Sequence, residues 1–314
     1  MTPGLIRTVR GDVAADSLGL ILPHEHLFVD LRGPLAPNYA QAAPDTVVRV
    51  MQPYLSAAEA SGVTAFVDCA PVGVGRNVAV LRRLAESTAI HIIAPTGRYR
   101  ESFIPPDLID LSPEPLAELW VRELTEGMEG TDSRAGFIKI AMSDNGPTPL
   151  EIVSLKAAAL ASRTTGAVVA SHTIGGAVAR REMDILEAEG HDLRRFIWVH
   201  AHTEPNTAVH VEAARRGAYV EFDAIGAENW HPQPALLESA LALLDAGYAD
   251  HILLSHDAGW YDPAQPDGRP KPDGIRGYTA LVEQFIPALR ARGVDDETVR
   301  TLTMTNPARA FALA

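Results

Sequence analysis

Short apolar runs alternate with amphipathic segments from one end of this chain to the other, and that alternation restricts its fold more than any other feature. The runs Leu18–Leu22, Thr64–Cys69, His91–Pro95, Gly136–Ile140, Ala167–Ser171, Phe196–Val199, Ala218–Phe222 and His251–Ser255 read as buried β-strands. Between them lie Asp45–Ser61, Asn77–Thr88, Pro115–Met128, Pro149–Thr164, Gly176–Glu189, Asn206–Arg216 and Pro234–Ala246, with apolar residues at helical spacing; an eighth such segment, Tyr278–Arg292, follows the last run. Several end at a glycine, Gly166 and Gly217 among them, where a residue that tolerates positive φ can stop a helix. Eight strand–helix units without a break in composition predict an α/β fold, a single-domain (β/α)8 TIM barrel over residues 1–314. The alternative is a doubly wound open sheet, but no Gly-rich phosphate loop follows the first strand.

The formal net charge of −13 argues against a nucleic-acid partner or an anionic membrane surface, since both favour a basic face. No apolar stretch approaches the roughly 18 residues of a membrane span, and the first residues do not form a charged segment followed by an apolar one. The expectation is a soluble, cytoplasmic protein acting on a small molecule. Cys69 is the only cysteine, which excludes an intramolecular disulfide and a thiolate metal cluster; within Ala65-Phe66-Val67-Asp68-Cys69-Ala70 it reads as a small core residue.

In a barrel of this kind chemistry collects at the C-terminal ends of the strands. After the first run comes Pro23-His24-Glu25-His26, where strand alternation puts both imidazoles on one face, about 7 Å apart, and Glu25 on the other. Two imidazoles so placed can converge on one cation. The fifth run ends at His172, the sixth is followed by His200-Ala201-His202, and the eighth by His256-Asp257. The fourth contains Lys139, one of only three lysines. An unpaired ammonium beside bound cations is strongly unfavourable, but a lysine carboxylated by CO2 supplies the anionic bridge that two metals about 3.5–4 Å apart require. That reaction requires the amine in its neutral form.

With these residues in place the chain resembles the phosphotriesterase-like family of the amidohydrolase superfamily, in its lactonase and esterase branch. The likeness runs through Val9-Arg10-Gly11, Leu22-Pro23-His24-Glu25-His26, Gly136-Phe137-Ile138-Lys139-Ile140, Ser171-His172-Thr173, Ser255-His256-Asp257 and Thr305-Asn306-Pro307-Ala308-Arg309. The resemblance implies two divalent transition metal ions, zinc first, with manganese, cobalt or iron as alternatives. It implies that His24, His26 and Asp257 hold a buried metal and His172 and His200 an outer one. Carboxylated Lys139 and a hydroxide would bridge the two, with Asp257 the catalytic acid–base. His200 and His202 can both face the barrel mouth; the family's spacing to Asp223 favours His200 and leaves His202 to line the pocket. Tyr99 resembles a position that contacts substrate oxygen. A homodimer is the assembly the resemblance suggests.

Two departures bear on substrate. Thr203 and Ala224 stand where family members commonly carry acidic and His or Arg residues of a proton relay or pocket, with Glu204 as the available substitute. The expected activity is therefore hydrolysis of a carboxylic ester, foremost a lactone. Alternatives on the same site are a phosphotriester, an amide or a phosphorylated-sugar lactone; Arg269, Lys271 and Arg276 in the long loop Ala258–Ile275 could clamp an anion. An alternative of another class is a non-catalytic ligand-binding barrel.

Overall fold

The structure, a computed structural model, describes residues 4–313. It opens with an antiparallel hairpin that the alternation did not predict, β1 (Leu5–Thr8) and β2 (Gly11–Ala14). Every other pairing between strands is parallel. The barrel staves are β3 (Leu20–Phe28), β4 (Val63–Asp68), β5 (His91–Ile93) with β6 (Pro95–Gly97), β7 (Phe137–Ala141), β8 (Val169–His172), β9 (Phe196–Val199), β10 (Tyr219–Phe222), and β11 (Ile252–Leu254) with β12 (Gly259–Tyr261). Two staves are interrupted. β5 pairs with β4 and β6 with β7, so the third stave changes partners at Ala94. β11 pairs with β10 and β12 with β3, so the eighth closes the ring. Across its break, His26 N–H donates to Ala258 O (3.0 Å) and Asp257 N–H to His24 O (3.2 Å).

The helices run α1 (Pro44–Ala60), α2 (Val78–Ala85), α3 (Pro113–Thr125), α4 (Pro149–Thr165), α5 (Gly176–Ala188), α6 (Thr207–Arg216), α7 (Gln233–Asp245) and α8 (Ile286–Ala291). α4 starts with a reciprocal cap between Thr148 and Glu151 and ends at Gly166 with φ +75°; α6 ends at Gly217 with φ +108°. α9 (Asp296–Arg300) and α10 (Asn306–Phe311) follow. α10 carries Phe311 under the barrel, edge-on to Phe137 with ring centroids 5.3 Å apart. No helix among the described residues is long and apolar enough to cross a membrane.

Strand alternation divides the core into two layers. Ile21, Ala65, Val67, Ile93, Phe137, Ala170, Ile197 and Leu253 fill the barrel, while Leu22, Phe66, Ile92, Ile138, Val169, Trp198 and Leu254 pack outward against the helices. The same parity aims Lys139 inward with Phe137, His172 with Ala170, and Glu221 with Tyr219. β3 breaks parity, because Ile21 faces inward and yet so does His24. An irregularity in its pairing with β4 between Leu22 and Glu25 absorbs the extra residue and turns both histidines into the barrel.

Candidate metal centre

At the C-terminal ends of the strands a cavity of about 180 Å³ is lined by His24, His26, Lys139, His172, His200 and Asp257, joined by Cys69 and Tyr99. Val29, Leu31, Val74, Trp230 and Trp260 form its apolar wall. All six ligand-type residues singled out in the sequence therefore meet in one place. His26 Nε2 is 2.9 Å and His24 Nε2 3.4 Å from Asp257 Oδ1. These three form a group able to hold a cation. Opposite them, His200 Nε2 lies 2.7 Å from His172 Nδ1, and Tyr99 Oη lies 3.1 Å from the same His172 nitrogen.

His200 and Asp257 both have left-handed backbones, with φ of +63° and +49°. Such backbones are costly for residues with a Cβ and cluster at functional sites. At His200 the turn releases the chain from β9 parity and brings the ring into the cavity; its N–H and Nδ1 both bond Asp223, at 3.1 and 2.9 Å. At Asp257 the turn is held by Arg276, which donates to the carbonyls of His256 and Asp257 at 2.5 and 2.6 Å.

Lys139 is 1% exposed, and its Nζ has no hydrogen-bond partner among the described residues. A buried unpartnered amine costs several kcal/mol, on the order of 2–7 for a polar group left without a bond. Lys139 lines the same cavity as four imidazoles and Asp257, and these nitrogen and carboxylate donors suit divalent transition metals.

The electrostatics separate the two groups. Burial works against the charged form of His24, but Cys69, Asp223 and Asp257 together outweigh it and hold the imidazole well above its ordinary range. Burial likewise opposes ionisation of Asp257, yet His24 and His26 keep its carboxyl well below the usual range. His172 is pushed well down by burial, with His200, Lys139 and Arg100 adding to the effect. A neutral His172 and an ionised Asp257 suit metal binding, whereas the protonated His24 has to give up its Nε2 proton for a cation to bind there.

The other candidates fall in different places. His202 is buried, packs edge-on against Trp230 with ring centroids 4.6 Å apart, and does not line the cavity. Arg269 is exposed and pairs with Asp267 in its own turn. Lys271 and Arg276 line an adjoining cavity of about 460 Å³ that shares Trp230, Asp257 and Trp260 with the first. Thr203 donates to His200 O (2.7 Å), and Ala224 is buried. Glu204 is spent on the start of α5, accepting from Gly176 N–H at 2.9 Å, so it does not replace a relay. Cys69 belongs to the inner core and also touches the cavity.

Several contributors were not visible in sequence. Glu25, facing away from the cavity, accepts from Ser255 Oγ (2.8 Å), His256 N–H (3.0 Å), His256 Nδ1 (2.6 Å) and Ala258 N–H (3.0 Å), and so stitches the broken eighth stave to β3. Arg100 donates to both His172 Nε2 and Asp144 at 2.5 Å. Glu221 accepts from His24 Nδ1 at 2.8 Å. Only alternation within Tyr219–Phe222, counted back from Asp223, could have aimed Glu221 inward.

A ring of imidazoles with a buried lysine and an aspartate at the mouth of a (β/α)8 barrel defines a metal-dependent hydrolase. The sequence profile of the phosphotriesterase family matches residues 4–311, and this chain belongs to that family, whose enzymes depend on a pair of metal ions. It is 31% identical to a phosphotriesterase homology protein of Mycobacterium tuberculosis, over 98% of this chain and 97% of the relative. It is 28% identical to an aryldialkylphosphatase of Saccharolobus solfataricus, over 96% and 98%. The structure superposes on a mutant of a phosphotriesterase-like lactonase of Deinococcus radiodurans with a TM-score of 0.87, at 32% identity, covering 98% of this chain and all of the other.

Proposed function

We propose that this chain hydrolyses carboxylic esters, foremost lactones, with His24, His26 and Asp257 holding one divalent cation, His172 and His200 a second, and carboxylated Lys139 between them. The observation that carries the reading is the buried, unpartnered Lys139 amine in one cavity with five ligand-type side chains. Two such cations, zinc foremost, supply a nucleophilic hydroxide at neutral pH and polarise the substrate carbonyl. The protein does the rest. Tyr99 Oη stands beside His172, where it can donate to a substrate oxygen. Val74 and Trp260 wall the cavity, with the exposed Leu31 and Trp230 at its rim, and together they offer an apolar surface to the body of the substrate. Asp257, held by two imidazoles, is placed to take a proton and pass it to the leaving alkoxide.

The likeness to the D. radiodurans lactonase supports the choice of lactone. So do Thr203 and Ala224, which are tied into local structure and provide no relay to a demanding leaving group. On one metal-reconstituted preparation, kcat/KM for lactones should exceed that for phosphotriesters. A preference for phosphotriesters by more than about tenfold, roughly 1.4 kcal/mol of transition-state stabilisation, would remove the lactonase reading.

A further inference from the structure

Two buried carboxylates two residues apart, Glu221 on β10 and Asp223 just past its end, reach the histidines of the ligand ring. Asp223 is heavily shared: Oδ1 lies 2.9 Å from His200 Nδ1 and 3.1 Å from His202 Nδ1, and Oδ2 accepts from His200 N–H at 3.1 Å. Its approach to His24 Nδ1 is the longer one, 3.2 Å. Glu221 is 1% exposed and gives His24 Nδ1 the shorter contact, 2.8 Å. The other nitrogen of His24 faces Asp257 in the cavity. An acceptor at Nδ1 fixes the tautomer, leaves the Nε2 lone pair free for a cation, fixes the ring plane and raises ligand basicity.

We infer that Glu221 is a positioning residue for one half of the centre: through His24 it sets how tightly the His24–His26–Asp257 group holds its cation, while Asp223 serves His200 in the other half. The two halves thereby lean chiefly on different carboxylates, Glu221 with the shorter contact to His24 and Asp223 with both bonds to His200, although Asp223 also reaches His24 at 3.2 Å. The inference rests on the metal centre proposed above.

The test is cation release from the full chain, reconstituted with zinc and challenged with excess chelator, with released metal followed over time. Wild type should release two ions in two phases, and His26→Ala should lack the phase that belongs to the His24–His26–Asp257 group. Glu221→Ala should speed that same phase by about 10- to 100-fold, the usual effect of deleting a carboxylate behind a histidine ligand, and leave the other phase within about threefold. Glu221→Gln, which keeps volume and an acceptor oxygen, should fall between Ala and wild type, a graded rescue that a mere space-filling role does not produce. Should the alanine variant fail to fold, the glutamine variant decides alone. Release at wild-type rates, equal acceleration of both phases, or acceleration only of the phase that His26→Ala retains would overturn the inference. A wild-type chain that retains no zinc would instead overturn the metal centre itself.

Discussion

His200 and His202 show how much one backbone angle decides. They are two residues apart, and on a continuous strand they would share a face. The left-handed turn at His200 ends that alternation, delivers one ring to the cavity and leaves the other against Trp230. His200→Ala should therefore weaken the outer cation by more than about 100-fold, beyond what residues behind a ligand usually contribute. His202→Ala should leave both cations bound and change substrate constants at most. Metal titrations of the two variants check this, and the reverse pattern would move the ligand by two residues.

At the level of elements, the weak point of the barrel is its eighth stave, where β11 stops and β12 resumes. Glu25 bridges that gap with four hydrogen bonds while wholly buried. Removing it strands several buried donors, each costing about 1–3 kcal/mol, so Glu25→Ala should lose at least about 3 kcal/mol in denaturant unfolding. A loss below about 1 kcal/mol would mean that the seam is held by something else. Glu25 also marks where the sequence was legible and where it was not. The apolar runs located all eight staves, because a strand buried on both faces has no other composition available to it. The His-x-His pair, Lys139, His172 and Asp257 stood out as polar residues interrupting those runs. The β1–β2 hairpin and α9–α10 went unread, since they are short and owe their place to packing under the barrel rather than to periodicity. The bulge in β3 and the turn at His200 were hidden for a related reason: pairing with neighbouring strands imposes them, and no local residue preference announces them.

Across the whole molecule, the acidity of the chain matters less than where its buried acids sit. Glu182 on α5 is wholly buried and accepts from the hydroxyls of Ser171 and Thr173. Burial, only partly offset by those bonds, lifts its pKa from 4.5 to about 8. The folded chain thus keeps a proton that the unfolded chain gives up near 4.5, so this group's contribution to stability is full below that pH. It is lost as the pH rises towards about 8, by up to about 1.4 kcal/mol per pH unit. Glu182→Gln should flatten that decline and be more stable than wild type at pH 8 and above. Parallel unfolding curves for the two proteins across pH 5–9, in the sense of an unchanged difference between them (roughly constant ΔΔG), would show that Glu182 does not titrate in this range.

Everything proposed for the site turns on Lys139 serving as a carboxylated bridge between two cations. Metal content of purified wild type and Lys139→Ala, together with a crystal structure of the metal-loaded wild type, tests it most directly. The expected result is close to two divalent transition metals per chain in wild type, both lost or strongly weakened in the variant, with a carboxyl group on Nζ touching both ions. A single metal per chain that no reconstitution raises, or a bare Lys139 amine remote from the metals, would contradict it.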